Sequence, residues 1–453
     1  VAAGEQGRVV EPSRTTPVIG EFEVVVVGGG PAGMMAAAAA ARTGRSTILL
    51  ERYGFLGGAG TAGGLSTFCG LHANVHGEHR QIIHGLADEF LERIGRLDGL
   101  NEPHLSFANR ITAQAYDISA YKIAADELVL ESGATMLFHA LAVGVVMGSE
   151  RAIDAVLVET KSGRGAVRGR IFIDCSGDGD VAAWSGAPFE KSEKLSGMLY
   201  PSLMFRINGV DPARAGRAWE VIPKLMAEAE AAGTHQFPRR GAIVRPQRNP
   251  LEWRANLTQV RNPDGSAVDG TDAAELSYGE IEGRRQIRDT FAFIRQATPG
   301  FEEAYIVDIA PQLGIRETRR IVGEYQLSED DILECADFDD TIGVNGWPVE
   351  AHVAGSVEIR WPRDPDARGF NQMPYRMIVP QQVDNLFVAG RCASMTHEGQ
   401  SSARVSGPCF VMGQASGSAA DLALRDGVAV HDVDVARLQE RLEDDGAYLG
   451  RKW

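Results

Sequence analysis

Residues 22–52 read F-E-V-V-V-V-G-G-G-P-A-G-M-M-A-A-A-A-A-A-R-T-G-R-S-T-I-L-L-E-R. The β-branched run at 24–27 does not alternate, as expected of a parallel strand buried on both faces. Gly28, Gly30 and Gly33 fall on G-x-G-x-x-G. The first allows a tight turn, the second lets a phosphate approach the backbone, and the third lets a helix pack on the strand. Pro31 falls in the first helical turn, where a missing N–H costs little. The alanine-rich stretch 34–41 reads as that helix, with its N-terminus aimed at an anion. Residues 46–50 return as a second strand. Glu51 ends it at the spacing of a carboxylate that accepts a ribose hydroxyl. The unit is a dinucleotide-binding β-α-β.

Around this unit lies an ordinary globular composition. The chain has 453 residues, 44% of them hydrophobic and 23% charged, enough for a large interleaved fold. A net charge of −16 argues against nucleic acid as a partner. No apolar run is long enough to span a bilayer. Residues 1–20 are expected to form a flexible tail without signal-peptide character. The cysteines, Cys69, Cys175, Cys335, Cys392 and Cys409, are scattered and include no C-x-x-C pair. That excludes a dithiol relay, gives no reason to expect a metal site, and suggests a reducing cytoplasm.

Further along, a glycine-rich segment at 54–72 can run against a ligand. Residues 73–110 read as polar and irregular, with a short helix near 86–94. A helix follows at 119–132, with Ile123, Leu128 and Leu130 among its apolar positions. Strands are expected at 135–147, 152–160 and 165–174. The last of these runs into C-S-G-D-G-D, where Asp178 and Asp180 read as a structural turn rather than a metal site. Residues 191–370 change texture, with a strand at 202–207, helices at 219–232 and 278–296, and many arginines. A buried strand at 385–390, a loop at 391–406 and a long helix at 408–424 close the pattern. The expected division is a cofactor domain at 21–190 and 371–453 with a smaller α+β substrate domain at 191–370 inserted into it.

Four motifs together resemble the FAD-dependent oxidoreductase family of the glutathione-reductase-type superfamily, relatives of the fumarate reductase flavoproteins. They are V-V-V-G-G-G-P-A-G with E-R-Y-G-F-L-G-G, I-D-C-S-G-D-G-D, G-I-R-E-T-R-R-I-V-G-E-Y, and D-N-L-F-V-A-G-R-C-A-S-M-T-H-E-G-Q-S-S-A-R-V. The resemblance implies an α/β fold: a Rossmann-like FAD-binding domain with a β-meander, carrying the inserted substrate domain. It implies extended FAD, its ADP half on Gly28, Gly30, Pro31, Ala32, Gly33, Glu51 and Arg52. Gly57, Gly58, Ala59 and Thr61 would line the route to the flavin. Val143, Ser176 and Gly177 complete the contacts in the middle of the site. Gly390 and Arg391 would lie near the ribityl–phosphate portion, and Ala403 and Val405 near the pyrimidine ring. Arg391 stands where the wider superfamily often has aspartate, and it can pair a phosphate. A single dinucleotide fingerprint argues against a separate NAD(P)H domain.

Flavin carries the hydride step, so the chain has to position substrate and move a proton. His397, beside Glu398, ranks first as base, against a plain packing role. His72 ranks second, against an exposed loop histidine. Arg404 and Arg316 are candidates for carboxylate binding or proton transfer, whereas Arg316, Arg319 and Arg320 together resemble a salt-bridge network. Cys69 reads as a buried thiol, with a nucleophile or flavin attachment as the alternative. The expected activity is hydride removal from a small polar metabolite. The alternative is reduction of an activated C=C bond with an arginine proton donor. The electron acceptor and homo-oligomerisation stay open.

Overall fold

A computed structural model of the chain describes residues 11–195, 197–241 and 243–451. The first strand runs Val18–Val27, and Val24, Val25 and Val26 are fully buried. It starts inside the stretch expected to be tail, because Val18 pairs with Ala166 and Gly20 with Val167. Residues 1–10 of that expected tail lie outside the described residues.

The central sheet is parallel-rich. Thr135–Leu137, Thr47–Leu50, Val18–Val27 and Gly163–Asp174 lie side by side in that order, and Leu386–Val388 completes the parallel set. The long strand Gly163–Asp174 serves two layers. Its first half pairs antiparallel with Ile153–Thr160, which pairs with Leu141–Met147 to give the meander. Its second half carries Leu386–Val388 in place of the meander, while Val18–Val27 runs parallel along both halves. The strand expected at 135–147 is split, one piece for each layer, at His139 with φ 53°.

The helices Pro31–Arg42 and Ser406–Asp426 pack against each other. Glycine makes the contact possible: a Cβ on Gly413 would lie 2.1 Å from the Ala32 carbonyl oxygen, and one on Gly417 2.3 Å from that of Ala36. The helix Ile118–Glu131 buries Tyr121, Ala124, Ala125 and Leu128, while Ile123 and Leu130 face solvent at 49% and 56% exposure. Alternation around a mostly small-residue face had obscured which side was buried. The region expected to be irregular carries a hairpin, His72–Val75 with Glu78–Gln81, and the strand His104–Ser106.

A second core belongs to the middle of the chain. Its antiparallel sheet has the order Ile243–Pro246, Trp253–Asn256, Phe205–Asn208, Tyr305–Ile309. The helix Ala273–Ala297 contributes Ile287, Phe291 and Ile294 to the same core. Phe205, Ile207, Val244, Trp253 and Ala255 supply its inward side chains. The alternate positions Arg206, Arg254 and Arg245 stand opposite one another across three strands. Ile321, Leu327, Ile342, Val344 and Phe370, read with the middle segment in the sequence, pack into the first core. No helix among the described residues is long and apolar enough to cross a membrane.

Candidate active site

The turn after the first strand is set by close approach. Gly28 has φ 98°, and a Cβ there would lie 2.4 Å from the Cys175 carbonyl oxygen. A Cβ on Gly33 would lie 1.8 Å from the Gly28 carbonyl oxygen. The turn and the first helical coil are therefore locked against the sheet. At Gly30 the nearest atom to a Cβ would be the Gly58 Cα, 3.8 Å away. The helix Pro31–Arg42 has no side-chain cap, which leaves its N-terminal amides for a ligand.

This end opens into a cavity of about 470 Å³. Gly28, Gly30, Pro31, Ala32, Glu51, Arg52, Gly58 and Ala59 line its first part; Ser176, Gly177, Gly390, Arg391, Arg404 and Val405 line the rest. The helix Ser406–Asp426 begins at the same cavity, again without a side-chain cap. Gly270, Leu276, Glu280, Leu313 and Ile315 of the middle segment form part of the wall.

Glu51 has more work than the sequence suggested. One oxygen accepts the Gly29 N–H at 2.6 Å and the other the Tyr53 N–H at 2.9 Å. Burial raises its pKa. The carboxylate clamps the glycine loop while still facing the cavity. Arg52 donates to Gln312 at 2.9 Å and lies over the Tyr53 ring. Tyr53 and Gln312 also line the cavity; Tyr53 had no sequence signal beyond proximity to Glu51, and Gln312 had none. Arg391 donates one nitrogen to Asp178 at 2.9 Å, while its Nη1 is buried with no partner. Asp178 accepts from Thr318 as well, and Asp180 from Arg319. Asp174 organises this turn by accepting from Ser176 and the Ala182 N–H, and burial raises it to about 6.

Five expected contacts stand behind the lining rather than in it. Gly33 and Gly57 hold backbone close, Gly57 donating to the Gly29 carbonyl at 2.8 Å. Thr61 donates to the Leu56 carbonyl at 2.6 Å. Val143 lies one residue beyond Leu141 and Ala142, which do line the cavity. Ala403 is fully buried at the end of its helix.

The catalytic candidates separate. His397 begins the helix His397–Ala403, inside the stretch expected to be a loop. Its Nδ1 lies 3.1 Å from Glu317 and 3.3 Å from the Ser192 hydroxyl, and it does not line the cavity. Glu317 is itself held by Arg320, Ser192 and the Leu199 N–H. Glu398 sits in the first turn of the same helix, where a carboxylate suits the helix dipole, also outside the lining. His72 faces a different cavity, of about 300 Å³, with Trp347 and with Trp361, on which Arg110 stacks at 3.8 Å. Its Nδ1 is buried without a partner, and burial lowers it to about 4.

Arg404 alone of these reaches the main cavity. Its Nε and Nη2 are buried without partners, and burial lowers its pKa. Beside it, burial pushes the Cys69 thiol up to about 12, with Glu350 adding to the rise. Cys69 is thus a thiol at neutral pH and a poor nucleophile.

The sequence profile of a family described as FAD dependent oxidoreductase matches residues 23–442. The chain belongs to that family. Its cofactor is FAD, and it is an enzyme. Among solved structures, the chain is similar to a geranylgeranyl bacteriochlorophyll reductase-like protein from Thermoplasma acidophilum at 13% identity, over 95% of this chain and 84% of that one, with a TM-score of 0.48. It is also similar to p-nitrophenol 4-monooxygenase from Pseudomonas putida at 13% identity, over 96% and 91%, with a TM-score of 0.47. A third is anhydrotetracycline hydroxylase from Streptomyces rimosus, at 14%, 93% and 65%, with a TM-score of 0.41. No curated protein sequence matches the chain. The residues present fit the cofactor of the family. The glycine turn leaves an open cradle at Gly30, two uncapped helix starts face one cavity, and Arg391 keeps a buried nitrogen free for an oxyanion.

Proposed function

We propose that this FAD-dependent oxidoreductase exchanges a hydride with a small polar metabolite and that Arg404 moves the accompanying proton. When bound, FAD supplies the two-electron step. The observation that carries the reading is Arg404, which lines the cavity and whose Nε and Nη2 find no partner. A guanidinium whose pKa burial lowers gives up a proton more readily than an exposed one. His397 is a weaker choice, since Glu317 and Ser192 take up its Nδ1 away from the cavity. Dehydrogenation needs a group to take the substrate proton. Reduction of an activated C=C bond needs one to deliver it. Arg404 supports the second direction better, because it is charged at rest. The adenosine half is assigned to Gly28, Gly30, Pro31, Ala32, Glu51 and Arg52, and the distal portion to Ser176, Gly177, Gly390, Arg391 and Val405. Wall residues of the middle segment, Leu276 and Leu313 among them, give the cavity an apolar side. Five free cysteines accord with a reducing cytoplasm.

The test is anaerobic absorption spectroscopy of the FAD-loaded enzyme. Reduced enzyme reoxidised by an unsaturated acid supports the reductase direction. Bleaching of oxidised enzyme by alcohols or amines supports dehydrogenation. If neither class changes the flavin bands, hydride exchange with small metabolites is wrong.

A further inference from the structure

The face of the middle sheet away from its own core carries Arg206, Arg254 and Arg245 in one cross-strand row. Arg206 looks toward the cofactor unit, 3.8 Å from Asp117, and is also paired with Glu252. Arg254 differs. It is 6% exposed, its Nε is buried with no partner, and its side chain forms no hydrogen bond or ion pair with any described residue. Its electrostatic neighbours include Cys69 and Tyr116 of the cofactor unit. Cys69 in turn lies within reach of the charges of both Arg254 and Arg404.

Arg316 and Arg239 complete the group. Arg239 is buried and Arg316 half-buried, and both donate only to neutral oxygens: Arg316 to the Tyr200 carbonyl and the Ser202 hydroxyl, Arg239 to Asn256 and the Gly241 carbonyl. Arg316 feels the charges of Arg404, Arg239 and Glu350. Glu350 is the one carboxylate among them. Burial opposes its charge, but His352, Arg404 and Trp347 hold it near 2. Burial pushes the neighbouring His352 down to about 3, so it is neutral. Three guanidiniums, those of Arg404, Arg316 and Arg239, therefore share one carboxylate in a region largely closed to water, and Arg254 has no carboxylate partner at all. An uncompensated buried charge is strongly destabilising, and guanidinium forks are matched by carboxylates.

We infer that Arg254 and Arg404, backed by Arg316 and Arg239, receive a small metabolite bearing at least two carboxylates, between the cofactor cavity and the middle sheet. This rests on the hydride-exchange reading for the identity of that metabolite as substrate. The two unpartnered forks come from different units of the fold, so they suit two separate oxyanions better than one.

The test titrates FAD-loaded enzyme with succinate, glutarate and citrate, with the diamides of the two diacids, and with inorganic phosphate. Flavin absorption and melting temperature are both read. The diacids or the triacid are expected to perturb the flavin bands and raise Tm, while the diamides do neither. Arg254→Met is expected to weaken acid binding roughly 10- to 100-fold and to keep its FAD. Its ligand-free Tm is expected to hold or rise, since an unpaired buried charge has gone; Arg254→Lys recovers part of the binding. A structural arginine would instead lower Tm on removal. Diamides or phosphate that bind as well as the acids overturn the inference, as does unchanged acid binding in Arg254→Met or a sharp fall in its ligand-free Tm. Neutral substrates that bleach the flavin while acids fail to bind overturn it and leave hydride exchange standing. Acids that bind with no redox change in either direction do the reverse.

Discussion

Arg316 and Arg320 lie in one short segment, G-I-R-E-T-R-R, and meet opposite electrostatic surroundings. Arg320 is 4% exposed and bonds Glu317, which also holds His397 and Ser192. Its neighbour Arg319 pairs with Asp180 at 2.8 Å. This side is a closed ion network. Arg316 turns the other way, toward Arg404, Arg239 and Glu350, and has only neutral acceptors. One group of arginines is paired with carboxylates of the chain. The other has neutral acceptors or none. Arginine count alone says nothing about function; the identity of each acceptor does.

The comparison can be broken from either side. The largest effect is expected at Glu317, which is 1% exposed. Glu317→Gln strands Arg320 and should lower stability by about 3–5 kcal/mol, measured by urea unfolding of the FAD-loaded protein. A loss near zero would mean the network is not what holds this segment. Arg404→Gln should reduce turnover about 100-fold or more with FAD content unchanged, read by steady-state kinetics and the flavin spectrum. Equal activity would return the proton to another group. The pair of Arg319 with Asp180 is partly exposed, so Asp180→Asn should cost only about 1 kcal/mol or less.

A pH series sharpens the other side. Burial, then the charge of Arg316, lowers His352 from 6.5 to about 3. The unfolded imidazole takes up a proton below 6.5, whereas the folded one stays neutral until about 3. Folding stability linked to His352 is therefore present in full above that window and lost as pH falls through it. His352→Gln should give a shallower acid decline of Tm between pH 6.5 and pH 3 than the parent. Identical slopes would show that His352 is not held neutral in the folded protein.

The cofactor unit was legible because its information is local. Gly28, Gly33 and Glu51 act within one β-α-β unit, and the distances that force glycine lie across one turn. The surroundings of the candidate bases were not. His397 was ranked by its neighbours along the chain, but its partner Glu317 comes from a remote segment and ties it down. Arg254 carried a faint signal in W-R-A-N, where strand alternation sets a charge between two buried apolar residues. Its meaning depends on which unit the other face of the sheet meets, and that is a tertiary fact. Three of the four strands of that sheet were missed too, because they are four to five residues long and lie among arginines and prolines that resemble loop.

The last parallel strand has a bearing on how the enzyme is made. Leu386 pairs with Phe172, and the Ser406–Asp426 helix then seats against the alanine helix that follows the glycine turn. On a ribosome, the nucleotide-binding sheet waits with an open edge while the whole middle unit is synthesised and folds. Pairing across so long a span is slow, and an unpaired edge invites aggregation. Cofactor capture then becomes a late event in biosynthesis, and expression in flavin-poor cells should show its cost first as insoluble chain rather than as soluble apoprotein.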